Sequence, residues 1–223
     1  MGKIFFLGDS IAAGAFCENG GWATQLANHI ISLTIESKNK GNGFYCFPYN
    51  LSIEGDNVQD VVNRFDNEIS VRLEENEKCC FVIALGTNDS VVYEKNLEPK
   101  FTDEEYKNNL SILINKCRKY SNNIVFVGQI PIYLKDLDKN YWHNELVFRN
   151  DKIKHFNDLN KDFCFNNNIQ FIDIFDKHQN WIELLDDGLH PNSSGHEIIY
   201  KAIKSEFIND DFVECFTEYE LLS

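Results

Sequence analysis

The spacing of apolar residues along the chain alternates between two kinds of segment. Short, mostly apolar runs predict strands, and the uninterrupted run 80–85 predicts one buried on both faces. These runs are 4–7, 78–85, 124–130 and 169–174. Elsewhere apolar residues recur every three or four positions, which predicts amphipathic helices. The predicted helices cover about 22–33, 58–69, 103–117 and 151–165, and a last helix is capped by Asn192 or Ser193 and extends to about 207. This alternation is typical of βαβ units with parallel strands.

One further strand is predicted at 44–52, a segment rich in aromatic residues. It contains Pro48, which favours a place at the edge of a sheet because proline lacks the N–H that a neighbouring strand needs. Right-handed crossovers place helices on both sides of a parallel sheet. We therefore predict an α/β fold, a three-layer α/β/α sandwich around a five-stranded parallel sheet, with residues 1–223 forming one domain.

Polar segments separate these elements. Residues 36–43 and 135–150 are predicted to be loops, and the acidic segment from Asn209 onward is predicted to be peripheral. Thr102 and Glu105 have the spacing of a capping box, in which each side chain bonds the other's backbone N–H. A helix is therefore expected to begin directly after Thr102.

The composition excludes several classes of partner. A net charge of −14 argues against nucleic acid and anionic membranes, which attract basic surfaces. No segment has the length of a membrane span or the pattern of a targeting signal. The 7 cysteines are odd in number and scattered, without a C-x-x-C pair, which is typical of free thiols in a reducing compartment. We therefore expect a cytoplasmic location.

The first strand ends abruptly in the polar sequence Gly8-Asp9-Ser10. Ser10 is thereby predicted to lie at the carboxyl end of a strand, where open α/β sheets form their ligand crevices. Gly8 is expected to let the backbone turn tightly. A serine hydroxyl is a weak nucleophile, so catalysis there needs a base, an orienting carboxylate and donors for an oxyanion.

A second group of polar residues stands in the sequence 186–192. Asp187 and His190 are three positions apart across a glycine, so one tight loop can place the carboxylate against the imidazole. Asp186 is the alternative carboxylate, but adjacent side chains point apart and we favour Asp187. A metal site of Asp187, His190 and His196 is a further alternative, although its spacing matches no familiar ligand motif.

Three groups are predicted to supply oxyanion donors: the backbone N–H of Ser10, the backbone N–H of Gly55 and the side-chain amide of Asn88. Each follows a predicted strand at its carboxyl end, so parallel pairing brings all three to one edge of the sheet. Ser10 as a plain helix cap and Gly55 as a plain turn residue are the structural alternatives. Asp9 and Asp89 are expected to fix their turns by hydrogen bonds rather than to react.

Four segments together resemble the sequence blocks of the SGNH hydrolases, also called GDSL-type esterases and lipases. These are Gly8-Asp9-Ser10, Gly55, Gly86-Thr87-Asn88-Asp89 and Asp187-x-x-His190, in the family's order. The resemblance implies a flavodoxin-like sheet of five parallel strands and an esterase that works through an acyl-enzyme. It implies a catalytic triad of Ser10, Asp187 and His190, an oxyanion hole of Ser10, Gly55 and Asn88, and neither a metal nor another cofactor.

The function expected from these residues is hydrolysis of small-acyl carboxylic esters, as in a carbohydrate or metabolite O-deacetylase. The alternatives are a thioesterase or lysophospholipase, an acyltransferase that shares the acyl-enzyme, and a non-catalytic module that binds an anion at a helix N-terminus. The expected partner is a small-molecule ester, with neither nucleic acid nor a membrane.

Overall fold

Strands and helices alternate along the chain as the hydrophobic pattern predicts. The computed structural model describes residues 2–74, 77–133 and 145–217. The main sheet contains β1 (Gly2–Gly8), β2 (Cys46–Asn50), β3 (Lys78–Ala84), β5 (Ile124–Val127) and β7 (Gln170–Ile172); a small antiparallel pair joins β4 (Val92–Tyr93) to β6 (Leu146–Val147). The α-helices are α1 (Ser10–Ala13), α2 (Gly21–Lys40), α3 (Val58–Ser70), α4 (Asp103–Arg118), α5 (Asn150–Asn166), α6 (Ser193–Phe207) and α7 (Asp210–Cys215), with a 3₁₀ helix at Trp181–Leu184.

The main sheet is parallel throughout and has the strand order β2-β1-β3-β5-β7. This is the flavodoxin-like order, in which the chain starts near the centre and then moves outward in both directions. The predicted α/β class with a five-stranded parallel sheet is confirmed. The strand that carries Pro48 lies at an edge, as predicted.

Both faces of the sheet are covered by helices, so strand residues alternate between two apolar layers. One layer joins the sheet to α2 and α6 and includes Ile4, Phe6, Val82, Trp22, Leu26 and Ile199. The other joins it to α3, α4 and α5 and includes Phe5, Leu7, Phe81, Val61, Leu110 and Phe156. Burial on both sides explains why β1 and β3 are apolar at consecutive positions.

The first long helix extends further than the apolar spacing predicts. The segment 36–43 was expected to be a loop, but α2 continues to Lys40. Local contacts stabilise its last turns: Lys40 pairs with Glu36 one turn earlier, and Gly41 adopts the left-handed conformation and donates its N–H to the carbonyl of Ser37. Such contacts leave no trace in hydrophobic periodicity, which is why the boundary was placed too early.

The prediction that the segment from Asn209 onward is peripheral is wrong for residues 209–217, and residues 218–223 lie outside the described residues. Asn209 caps α7. Phe212 and Phe216 are 6% and 2% exposed, and they pack in the apolar layer between the sheet and helices α2 and α6. Thr217 forms an antiparallel bridge with Phe44 beside the sheet edge. Two aromatic rings one turn apart give this helix an apolar face, and the acidic residues around them lie on its outer side.

The segment 135–150 was expected to be a loop. Residues 135–144 of it lie outside the described residues, whereas β6 occupies Leu146–Val147 and α5 begins at Asn150. The capping box of Thr102 and Glu105 is present as predicted and begins α4. Within the described ranges, none of the helices combines the length and apolar character required to cross a bilayer.

Replacing Phe81 by alanine tests the packing of the layer beneath α3. This ring is fully buried and its centroid lies 5.6 Å from that of Phe5 and 5.6 Å from that of Phe65. Phe81→Ala is expected to lower the free energy of unfolding by about 3–5 kcal/mol, because it removes a large apolar group and leaves a cavity. Guanidinium unfolding followed by tryptophan fluorescence measures this change.

The matched control is Phe165→Ala, because that ring is 83% exposed near the end of α5. It is expected to change the free energy of unfolding by no more than about 0.5 kcal/mol. Equal effects of the two substitutions would contradict this description of the core.

Candidate active site

The candidate site lies at the carboxyl edge of the sheet, between its two central strands. Ser10 follows β1 directly, and Asn88 lies in the turn that follows β3. The chain moves to opposite sides of the sheet from these two strands, so their ends open a crevice between diverging connections. The two polar turns therefore occupy the position where folds of this class bind ligands.

The turn at Ser10 is fixed by the residues before it. Asp9 is the N-cap of α1, and its carboxylate accepts the backbone N–H of Ile11 at 2.9 Å. Ser10 is the first residue of this helix, so its N–H has no partner within the helix. Gly8 does not adopt a left-handed turn conformation, contrary to expectation, but continues β1. A side chain there would clash with the carbonyl of Ala84, so glycine is needed for close packing.

The loop between the 3₁₀ helix and α6 positions the candidate base. The Asp187 carboxylate accepts the backbone N–H of Leu189 at 2.9 Å and that of His190 at 2.8 Å. Gly188 has a φ of 85°, and a Cβ at this position would lie 2.0 Å from the carbonyl oxygen of Tyr133. The loop thus requires glycine at 188 for its conformation and for the close approach of another backbone segment.

Ser10, His190 and Asp187 form a continuous chain of hydrogen bonds. The Nδ1 atom of His190 lies 2.7 Å from Asp187 Oδ2, and its Nε2 atom lies 2.9 Å from the Ser10 hydroxyl. The Asp186 backbone instead donates its N–H to the His190 carbonyl. The expectation that Asp187 rather than Asp186 faces the imidazole therefore agrees with this geometry.

The charge of Asp187 determines the proton arrangement in this chain. Partial burial raises the pKa of this carboxyl, but hydrogen bonds from the His190 ring and from two backbone N–H groups outweigh it, and the pKa falls to about 2. Asp187 is therefore ionised at neutral pH and can only accept hydrogen bonds. Nδ1 of His190 must then carry the proton, which leaves Nε2 free to accept the Ser10 hydroxyl proton.

Gly55 and Asn88 lie in turns that contact each other. The side-chain amide of Asn88 donates to the carbonyl of Asp56 at 3.0 Å, directly beside Gly55. Gly55 has a φ of 82°, and no other heavy atom lies within 4 Å of the position that a Cβ would take. Glycine is thus required at 55 by backbone conformation, and the space above it is open to a ligand.

The turn of Gly55 is also tied to the end of β1. The N–H of Ile53 donates to the carbonyl of Gly8 at 3.2 Å, two positions before Ser10. Among the described residues, neither Gly55 nor Asn88 hydrogen-bonds Ser10 directly. Hydrogen bonds therefore join the turn of Gly55 to the turn of Asn88 and to the end of β1, near Ser10.

Two buried carboxyl groups hold these turns in place, as expected for Asp9 and Asp89. Asp89 accepts the backbone N–H of Val58, the first residue of α3, at 3.1 Å. This bond connects the turn of Asn88 to the turn of Gly55. Burial raises the pKa of Asp9 to about 6 and that of Asp89 to about 7.

His196 does not join the candidate site as a metal ligand. It is fully buried, and its Nδ1 atom accepts the backbone N–H of Trp22 at 3.2 Å, which links α6 to α2. Burial lowers its pKa to about 4, so the ring is neutral at physiological pH. Within the described ranges, no group of three or more His, Cys, Asp or Glu side chains is arranged to hold a metal ion.

The sequence did not indicate one residue that contacts His190. The ring of Phe16 lies 5.1 Å from the imidazole, centroid to centroid, and is 55% exposed. A single aromatic residue between small residues carries no periodic signal. The glycines at 14, 20 and 21 that enclose its loop are the only sequence feature that could have indicated an exposed tip there.

Asp89→Asn is expected to change the pH dependence of stability. The pKa of Asp89 rises from 3.8 to about 7 on folding, so the folded protein retains a proton that the unfolded chain releases in this interval. The free energy of unfolding therefore falls as the pH rises from 3.8 to about 7 and loses this dependence above that range. Asparagine keeps an oxygen for the N–H of Val58 but does not titrate.

Guanidinium unfolding at a series of pH values across this interval measures the effect. The stability of Asp89→Asn relative to the parent protein should increase as the pH rises. Asp162→Asn, an exposed position on α5, is the control and should show no such trend. A constant difference between Asp89→Asn and the parent protein would contradict the prediction.

The sequence matches the model of a known protein family. The family model for GDSL-like Lipase/Acylhydrolase matches residues 4–203. No curated protein matches the chain at a significant level.

Solved structures share the fold at low sequence identity. A lipase/acylhydrolase from Enterococcus faecalis superposes with a TM-score of 0.66 and 20% identity, over 92% of this chain and 95% of that chain. A G-D-S-L family protein from Veillonella parvula gives a TM-score of 0.65 and 17% identity, over 94% and 100%. Axe2, an acetylxylan esterase from Geobacillus stearothermophilus, superposes with a TM-score of 0.63 and 18% identity, over 92% of this chain and 93% of that chain. With the family model covering most of its length, the chain belongs to the GDSL-like lipase/acylhydrolase family.

Proposed function

We propose that this protein is a serine esterase that hydrolyses small-acyl carboxylic esters through an acyl-enzyme. The observation that carries the proposal is the hydrogen-bond chain from Ser10 through His190 to Asp187. A hydroxyl, an imidazole and an ionised carboxylate in this order form the arrangement that makes a serine nucleophilic.

In the proposed reaction, Ser10 Oγ attacks the ester carbonyl while Nε2 of His190 takes its proton. The imidazolium that forms is stabilised by Asp187 and then gives this proton to the oxygen of the leaving alcohol, as the bond between the carbonyl carbon and that oxygen breaks. Water then attacks the acyl-enzyme with His190 again as the base. The acid is released and the Ser10 hydroxyl regains its proton.

The negative charge that develops on the carbonyl oxygen needs fixed donors. We assign this role to the N–H of Ser10, the N–H of Gly55 and the amide of Asn88. The support for this assignment is the hydrogen bonds that join their turns at the carboxyl edge of the sheet, together with the first N–H of α1, which has no partner within that helix. Asn88 already uses one amide proton on Asp56, which orients the side chain and leaves the other available.

Related structures support the proposed residues and the proposed substrate class. Two structures of the Geobacillus enzyme are described as catalytic mutants, one with an aspartate and one with a histidine replaced by alanine, three positions apart. Asp187 and His190 have the same spacing. That enzyme is named an acetylxylan esterase, which supports a small acyl group and a carbohydrate or metabolite ester as the substrate here.

The charge and the cysteines support the remaining parts of the proposal. A net charge of −14 disfavours work on nucleic acid or at an anionic lipid surface, and fits a small-molecule ester as the partner. The cysteines at 17, 46, 79, 80, 117, 164 and 215 are free thiols, which supports a reducing, cytoplasmic location. The proposed chemistry uses side chains and backbone groups of this chain alone.

Ser10→Ala and Asp187→Asn test the proposed triad. Each is expected to lower kcat for p-nitrophenyl acetate by roughly 10³-fold or more, because one removes the nucleophile and the other removes the charge that orients and stabilises the imidazole. Steady-state rates measured at matched enzyme concentration, with circular dichroism to verify folding, give the result.

Two nearby substitutions serve as matched controls for the triad. Asp186→Asn changes the adjacent exposed carboxylate, and Ser205→Ala removes an exposed hydroxyl on α6 that bonds only the carbonyl of Ala202. Both should retain the parent activity. Full activity in Ser10→Ala, or an equal loss in Asp186→Asn and Asp187→Asn, would contradict the assignment.

The size of the acyl group is tested with a series of p-nitrophenyl esters. We expect kcat/KM to be highest for acetate and to fall steadily through butyrate to octanoate. A maximum at octanoate, or a faster reaction with acyl thioesters than with oxygen esters, would contradict the small-acyl proposal and favour a lysophospholipase or a thioesterase. Added alcohols that divert the acetyl group from water without lowering substrate turnover would indicate an acyltransferase.

A further inference from the structure

Phe16 combines three features that packing alone does not explain. Its ring is 55% exposed, so it contributes little to the apolar core. Its φ is 58°, a left-handed backbone conformation that is unfavourable for a bulky side chain. Its ring nevertheless lies against His190, with the centroids 5.1 Å apart and the ring planes inclined at 59°. A strained, exposed aromatic residue beside a reactive group points to a functional role.

The loop that carries Phe16 is held in this unfavourable conformation by its own ends. The N–H of Cys17 donates to the carbonyl of Gly14, and the N–H of Gly20 donates to the carbonyl of Cys17. Gly14 and Gly21 approach so closely that a Cβ on Gly21 would lie 2.4 Å from the Cα of Gly14. These contacts close the loop at its base and leave the ring of Phe16 at its tip.

A further contact ties this loop to the segment that carries His190. The thiol of Cys17 donates to the hydroxyl of Ser193 at 3.8 Å, three positions after His190. Phe16 and His190 are therefore fixed relative to each other from two sides.

Phe16 and two of the three proposed oxyanion donors lie on loops that lead to opposite faces of the sheet. The loop of Phe16 leads into α2 and the loop of His190 leads into α6, and these two helices cover the same face of the sheet. The turns of Gly55 and Asn88 lead into α3 and α4 on the other face. Phe16 thus lies beside the base, on a loop that leads to the face opposite the one reached from the turns of Gly55 and Asn88.

The position of Phe16 beside the base indicates which half of an ester, the alcohol or the acyl group, its ring would contact. In ester cleavage the protonated base gives its proton to the oxygen of the leaving alcohol, so the alcohol must lie beside the imidazole. The carbonyl oxygen must point the other way, toward its donors. A side chain that packs against the His190 ring is therefore expected to meet the alcohol half of the ester and not the acyl half.

We propose that Phe16 forms the wall of a subsite for the alcohol half of the ester, and that this subsite takes alcohols with an apolar ring face, such as a pyranose or a cyclohexane ring. The inference rests on the proposed esterase function. An exposed aromatic face offers contact area and dispersion attraction to the C–H groups of such a ring. It offers little to a short linear alcohol.

Three acetate esters test the subsite, because they share the acyl group and differ only in the alcohol. Ethyl acetate has a short linear alcohol. Cyclohexyl acetate has an alcohol with an apolar ring, and its leaving alkoxide is similar in basicity to that of ethyl acetate. A monoacetylated methyl xylopyranoside has a sugar ring. In Phe16→Ala, kcat/KM for the two ring esters is expected to fall by about 10-fold, since one ring contact is lost. The value for ethyl acetate should stay unchanged.

Two variants make this result specific. Phe16→Trp keeps an aromatic face and should retain high kcat/KM for the ring esters. Phe165→Ala removes an exposed ring near the end of α5, which leads to the edge strand β7. This control should leave kcat/KM unchanged for all three esters. A larger loss on the xylopyranoside than on cyclohexyl acetate identifies a sugar as the preferred ring. Similar losses on both identify an apolar ring in general.

The outcomes separate this proposal from the proposed function. If Phe16→Ala lowers kcat/KM for all three esters by the same factor, Phe16 acts by orienting His190 and the subsite proposal is wrong. If all three values stay unchanged while Ser10→Ala is inactive, the subsite proposal is wrong and the esterase function stands. If the parent protein hydrolyses none of the three esters, nor p-nitrophenyl acetate, the function itself is contradicted.

Discussion

The hydrogen bond between Ser10 and His190 is the contact on which the proposed chemistry depends. It joins two residues separated by 180 positions, at opposite ends of the sequence that forms the sheet and its helices. Neither residue is held by that bond itself. Ser10 is fixed by the end of β1 and the Asp9 cap, and His190 is fixed by the carboxylate of Asp187 and the cap of α6. The fold therefore brings together two locally rigid turns, which is what a reactive geometry requires.

The two faces of the sheet divide the work of the proposed reaction. Turns that lead to α2 and α6 carry the proposed base and the exposed ring of Phe16, and turns that lead to α3 and α4 carry two of the three proposed oxyanion donors, Gly55 and Asn88. Ser10 lies between them because β1 is central in the sheet and the chain diverges from it. The bond from Val58 to Asp89 joins the turns of Gly55 and Asn88, and burial raises the pKa of that carboxyl to about 7.

Local patterns predicted most of the fold and the proposed triad. Strands buried on both faces carry consecutive apolar residues, which predicts β1 and β3. A carboxylate three positions before a histidine can meet it within one loop. What could not be predicted depends on contacts between distant segments or on polar stabilisation. The end of α2 is set by a glycine cap and an ion pair, and α7 is set by two rings of Phe212 and Phe216 that only the finished sheet can bury. Phe16 meets His190 across two loops that no periodicity relates.

A covalent adduct with an organophosphate tests the proposed arrangement of nucleophile, base and oxyanion donors, because its phosphorus centre resembles the tetrahedral intermediate. The protein would be reacted with diethyl p-nitrophenyl phosphate and its crystal structure determined. We predict a phosphoryl group bonded to Ser10 Oγ. Its unesterified oxygen should lie within hydrogen-bond distance of the N–H groups of Ser10 and Gly55 and of the side-chain amide of Asn88. One ethoxy group should face His190. An adduct on another residue, or a phosphoryl oxygen turned away from Gly55 and Asn88, would contradict this arrangement.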